Sequence, residues 1–161
     1  MKELIDKISS YNLFNYLFPG VLFVIILKET TSYSFLQENL IVGAFLYYFI
    51  GLVISRFGSL IIEPLLIKIS FLKFADYSEF VSASKRDEKI EILSEVNNMY
   101  RTLFSTFFLL LVFNLYDYVE SNIPRLRAIN IYILLVLLMV MFILAYRKQT
   151  NYITKRINEN Q

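Results

Sequence analysis

Four apolar runs, roughly residues 13–27, 40–55, 103–119 and 128–146, fill much of a 161-residue chain, and the charges gather between and around them. The last run carries no Asp, Glu, Lys or Arg from 128 to 146. That is the length a helix needs to cross the roughly 30 Å hydrocarbon core of a bilayer. A soluble helical bundle with an oversized core is the alternative. It fits poorly, because 57% of the residues are hydrophobic and only 19% charged, too few to solvate so small a domain. The expected fold is therefore all-α: a polytopic membrane protein with four transmembrane helices. It forms a single membrane domain over 1–161, with 56–101 as an aqueous-side helical region between the second and third spans.

The opening MKELIDK mixes acids with bases, and no small-x-small cleavage site follows Leu27, so the first run is expected to stay as a span. Of sixteen Lys and Arg residues, only Lys28, Arg125 and Arg127 fall on one side of this layout, and thirteen fall on the other. The positive-inside rule then predicts both termini and the long loop in the cytoplasm, and the expected location is the inner membrane. Tyrosines flank the runs as interfacial belts do, among them Tyr16, Tyr47, Tyr48, Tyr116 and Tyr146.

Leu4, Ile5, Ile8, Tyr11 and Asn15 recur at helical spacing, which predicts an amphipathic lead-in helix over 2–17. Pro19 and Gly20 interrupt the first run, so a kink or break near Phe18 is expected there, either a tolerated kink or a gating hinge. In the second run Gly43, Tyr47, Gly51, Ser55, Ser59 and Glu63 repeat every four residues and form one slowly drifting stripe. Two readings stay open for it. Small residues let helices approach closely, or the stripe lines an aqueous path in an oligomer. Arg56 and Glu63 share a face and are candidates for an ion pair between neighbouring helices or subunits. Arg56 can also snorkel to the headgroups. Pro64 suits the first turn of a new helix, and 64–74 reads as an interfacial one.

Residues 75–86 read as a short polar helix with turns. Asp87 is placed to cap a helix that runs unbroken over 87–119, since neither Pro nor Gly interrupts it. The short 120–127 connection makes spans three and four an antiparallel hairpin. The fourth span has no polar stripe and is the candidate lipid-facing helix. Lys85, Arg86 and Lys89, with Asn97, Asn98 and Arg101, are candidate contacts for an anionic ligand across subunits; alternatively these bases balance the acids of the same loop.

Most catalytic chemistry has no carrier here. The absence of cysteine and histidine removes thiol nucleophiles, thiolate metal sites and the commonest general base. Four glycines supply no phosphate-cradling loop. Neither a cofactor nor a metal site is implied, and the acids Asp76, Glu79, Asp87, Glu88, Glu91 and Glu95 read as a solvated face. An enzyme is not expected.

The stretches RFGSLIIEP (Arg56–Pro64), KFADYSEF (Lys73–Phe80) and NNMYRT (Asn97–Thr102) resemble motifs of small multipass bacterial membrane effectors from anti-phage defence operons, of the Hailong channel type. That resemblance implies a homo-oligomeric, tetrameric ion channel. It would be held closed until a companion nucleotidyltransferase makes a nucleotide or oligonucleotide signal. With the lipid bilayer as its other partner, the chain is expected to be an oligomeric, ligand-gated effector. A non-conducting adaptor that recruits a partner through 64–100 is the second reading.

Overall fold

A computed structural model of the chain describes residues 12–159. Among these residues it is all-helical, without strands. Six helices follow in order: α1 (Leu13–Thr30), α2 (Leu40–Lys68), α3 (Tyr77–Ser84), α4 (Lys89–Asn122), α5 (Pro124–Arg127) and α6 (Asn130–Asn158). Four of them, α1, α2, α4 and α6, are long and apolar enough to cross a membrane. At 1.5 Å per residue the 34 residues of α4 reach about 51 Å. That exceeds the roughly 30 Å core by several turns, so α4 is longer than a span requires. Residues 2–11 of the expected lead-in helix lie outside the described residues.

Two prolines are absorbed without breaking a helix. A π-helical turn, Leu13–Leu17, precedes Pro19, and Phe18 N–H reaches back to Leu13 O. A second π turn, Gly58–Ile62, precedes Pro64, and Glu63 N–H reaches back to Gly58 O. Each π turn ends two residues before its proline. Proline removes a backbone donor and its ring strikes the carbonyl four residues back. A wider turn there displaces that carbonyl, which is why the chain stays helical. Of the kink or break expected near Phe18, the break does not occur: the departure from ordinary helix there is a π turn, and α2 likewise continues through Pro64. Helix also ends at Lys68, short of the expected 64–74 segment. Ser70 at φ 60° closes it in a Schellman arrangement, with Ser70 N–H donating to Ile67 O at 2.9 Å and Phe71 N–H to Leu66 O at 3.0 Å.

α1, α2 and α4 form the interior. α1 and α4 run one way, α2 and α6 the other. Phe23, Val24, Leu27, Ile54 and Leu110 make the apolar core, and Phe23 meets Phe113 edge-on with centroids 5.6 Å apart. α1 and α2 touch backbone to backbone. A Cβ at Gly51 would land on the Tyr16 carbonyl, and a Cβ at Gly20 on the Tyr47 carbonyl. The two contacts are reciprocal, each helix offering one glycine and one carbonyl a turn apart. Pro19 and Gly20 are buried in this crossing, where Gly20 allows the close approach.

At the far end the 31–39 connection folds onto the end of α4. Ser32 bonds Asp117, and the Tyr33 hydroxyl donates to Glu120. Asn130 at the start of α6 accepts from Tyr116 and donates to Tyr33 at 3.3 Å. Asn39 starts α2 by accepting from Ile41 N–H and Val42 N–H at 3.0 and 3.1 Å.

Candidate functional site

The polar groups that apolar helices carry inward come together in two layers at the end of the bundle near α3. The deeper layer joins α1, α2 and α4. Thr102 Oγ1 lies 2.9 Å from Asn15 Oδ1 and 3.2 Å from Ser55 Oγ, and Asn15 Nδ2 lies 3.5 Å from Ser55 Oγ. Asn15, Ser55 and Thr102 are all buried. Beside them Ser105 and Thr106 turn their hydroxyls back to the carbonyls of Arg101 and Thr102, at 2.8 and 2.9 Å. That satisfies a hydroxyl where no water reaches it.

The outer layer is charged. Glu63 takes Arg101 of α4 on one carboxylate oxygen and Lys148 of α6 on the other, the latter at 3.1 Å. Lys148 also donates to Ser59 O and Ser59 Oγ, both at 2.7 Å, and lies 5.7 Å from the ring centre of Tyr152. The side chains of Glu63, Arg101 and Lys148 are 14, 18 and 26% exposed. One carboxylate therefore ties three helices together in a largely dry setting, where truncating one partner leaves the others uncompensated.

This bridge also holds α6. Its membrane-length stretch has no buried residue, as befits the helix expected to face lipid. Besides Lys148, the Phe49–Phe142 stack at 6.2 Å and the Tyr77–Tyr152 contact at 6.2 Å join it to its neighbours.

From Tyr47 to Glu63 the second-run stripe turns into the protomer. Gly51 abuts α1, Ser55 joins the deeper layer, Ser59 binds Lys148, and Glu63 forms the bridge. It is a packing face within one chain. Within one protomer Arg56 and Glu63 do not pair. The two stand seven residues apart on one helix, about 10 Å, while Arg101 and Lys148 reach Glu63 from neighbouring helices. Among the described residues Arg56 takes part in no ion pair.

The six candidate ligand contacts separate into two groups. Lys85, Arg86 and Lys89 are exposed at the turn that opens α4, where Lys89 N–H meets Asp87 Oδ1 at 3.0 Å. Arg101 is committed to Glu63, and Asn98 O accepts from Thr102 at 2.8 Å. Lys89 and Arg101 lie twelve residues apart on one straight helix, about 18 Å. Asn97 and Arg101 do share a cavity of about 180 Å³, walled by Leu72, Phe74, Tyr100 and Phe104.

Lys148 and Asn15 were legible only as a tail charge and a lead-in residue. Their partners are distant in sequence, so no local pattern pointed to them. Thr102, Ser105 and Thr106 did leave a signal: hydroxyls at i, i+3 and i+4 in an otherwise apolar stretch. At the opposite end, burial raises the pKa of Tyr33 above its ordinary value of 10, and its hydrogen bond to Glu120 adds to that. Protein-family models, curated proteins and solved structures contain no match to this chain.

Proposed function

We propose that the chain is a homo-oligomeric effector of the bacterial inner membrane, gated as an ion channel in phage defence through its cytoplasmic region. The observation that carries this reading is α4. One unbroken helix of 34 residues holds exposed charges at its first turn, Arg101 of the bridge in its middle, and the Phe113 core contact beyond. A ligand that moves residues 77–100 would pull on Glu63 and, through Lys148, on α6. The charge count supports a cytoplasmic position for this end and both termini. The close α1–α2 crossing and the apolar core among α1, α2 and α4 favour a path formed by several copies, as in the tetramer that the resemblance implies. Their path would be lined by faces other than the α2 stripe.

The test is ion flux from liposomes holding purified protein, challenged with a panel of nucleotides and oligonucleotides. Ligand-dependent flux, lost on reversing Lys85, Arg86 and Lys89 to Glu, is expected. Silence under every ligand refutes the channel. The inward-turned stripe favours the second reading, a non-conducting adaptor working through 64–100. In that case the intact protein captures a partner, loses it on the same charge reversal, and passes no ions.

A further inference from the structure

α2 and α6 run side by side in the same direction, and their seam contains an unbalanced charge. Arg56 faces α6 across a crevice of about 20 Å³ lined by Ser59, Leu60, Ala145, Lys148, Gln149 and Tyr152. Arg56 is half-buried, yet among the described residues it makes no ion pair or side-chain hydrogen bond. A guanidinium stays charged at every physiological pH and carries five N–H donors.

The neighbours cannot neutralise it. Lys148 spends its three donors on Ser59 O, Ser59 Oγ and Glu63 Oε1, so it adds positive charge to the crevice wall and offers no free N–H. Glu63 is held between Lys148 and Arg101. The one carboxylate nearby is thus taken by Arg101 and Lys148, and Arg56 has none.

Depth makes this imbalance informative. Arg56 lies about 24 Å along α2 from Leu40, and Lys148 about 27 Å along α6 from Asn130. Against a hydrocarbon core of roughly 30 Å, both stand where acyl chains meet headgroups. An unpaired cation at that depth is expensive, and a phosphate is the anion a bilayer supplies there. About 10 Å deeper on the same seam, Phe49 and Phe142 stack with 44 and 38% of their surface exposed, an apolar floor for an acyl chain.

We infer that the α2–α6 seam is a binding site for the phosphate of an anionic phospholipid. The Arg56 fork, the Gln149 amide and the Tyr152 hydroxyl donate to it, and Lys148 supplies field. The crevice admits about one oxygen, so the phosphate sits at its mouth with the acyl chains along Phe49 and Phe142. A lipid held there fastens to α2 a helix whose membrane-length stretch buries nothing within the protomer.

The test measures thermal midpoint and lipid retention by native mass spectrometry, for the full chain in uncharged detergent. Phosphatidylglycerol, phosphatidylcholine and inorganic phosphate are added separately. Phosphatidylglycerol is expected to raise the midpoint and remain bound. Arg56→Gln should lower its apparent affinity about fivefold to tenfold, and Lys155→Gln, at an exposed position on the same helix, should leave it unchanged. If Arg56→Gln does not fold, Gln149→Leu with Tyr152→Phe takes its place, with the same direction expected. An equal response to phosphatidylcholine overturns the charge argument. An equal response to inorganic phosphate overturns the lipid assignment, and an unaltered response in the seam variants overturns the site.

Discussion

Substituting Gly51 by Ala sets two opposing effects against each other, and the geometry decides between them. Alanine is favoured over glycine inside a helix by about 1 kcal/mol. Against this, the new Cβ would lie 2.6 Å from the Tyr16 carbonyl carbon and 3.0 Å from its Cα, with the carbonyl oxygen nearer still. Ordinary contact begins near 3.4 Å, so α1 and α2 must part by about 1 Å or more. The atoms struck are backbone and cannot rotate away. Overpacking of this kind costs about 1–3 kcal/mol, and here the upper end applies, for a net loss of about 2 kcal/mol. Gly43→Ala is the control on the same helix. Its Cβ would meet only the Tyr47 ring, at 3.3–3.4 Å. A slight ring movement relieves that contact, so this variant should be neutral or gain up to about 1 kcal/mol. Unfolding in mixed micelles by SDS titration, followed by circular dichroism, resolves a difference of that size. The double variant Gly20→Ala with Gly51→Ala should lose less than the sum of the singles, because the first Cβ already opens the gap that the second needs. Equal stabilities for Gly43→Ala and Gly51→Ala would refute the backbone contact.

Three further outcomes are expected. Glu63→Gln leaves Arg101 and Lys148 facing each other without their shared anion. It should lose about 2–3 kcal/mol in the same titration, with part returned by a second change, Lys148→Met; an unchanged midpoint would remove the bridge as a structural element. Ser70→Gly should stabilise by about 1 kcal/mol, because a left-handed residue closes α2 there and serine pays for its Cβ. The raised pKa of Tyr33 means that its neutral form is favoured in the folded state. Its contribution is therefore whole below the unfolded value of 10 and fades as pH rises from there toward the folded value. The thermal midpoint should fall above about pH 10, and less steeply in Tyr33→Phe.

The spans, their number and their approximate limits were legible because apolar run length is a local property. So was the unbroken α4, since neither Pro nor Gly interrupts 89–119. The four-residue stripe on α2 was visible too, although periodicity shows only that a face is special, not what it meets. In the structure it meets α1, α4 and α6. The prolines announced a local departure from ordinary helix but not its form: a π turn accommodates each ring with hydrogen bonds whose register the sequence does not announce.

Run length, small-residue spacing and charge placement are written along the chain, and they determined an all-helical protein with four membrane-length helices and one end richer in bases. Only tertiary structure decided which cation meets Glu63. That depends on the depth and rotation at which α2, α4 and α6 stop against one another, set by the Gly20–Gly51 crossing and the Phe23–Phe113 contact. A turn's difference in height between α2 and α6 would have carried Lys148 past Glu63, whereas Arg56 keeps its distance from Glu63 because both sit on α2. At the observed heights Glu63 has both its cations from other helices, and Arg56 is left turned toward the seam with α6.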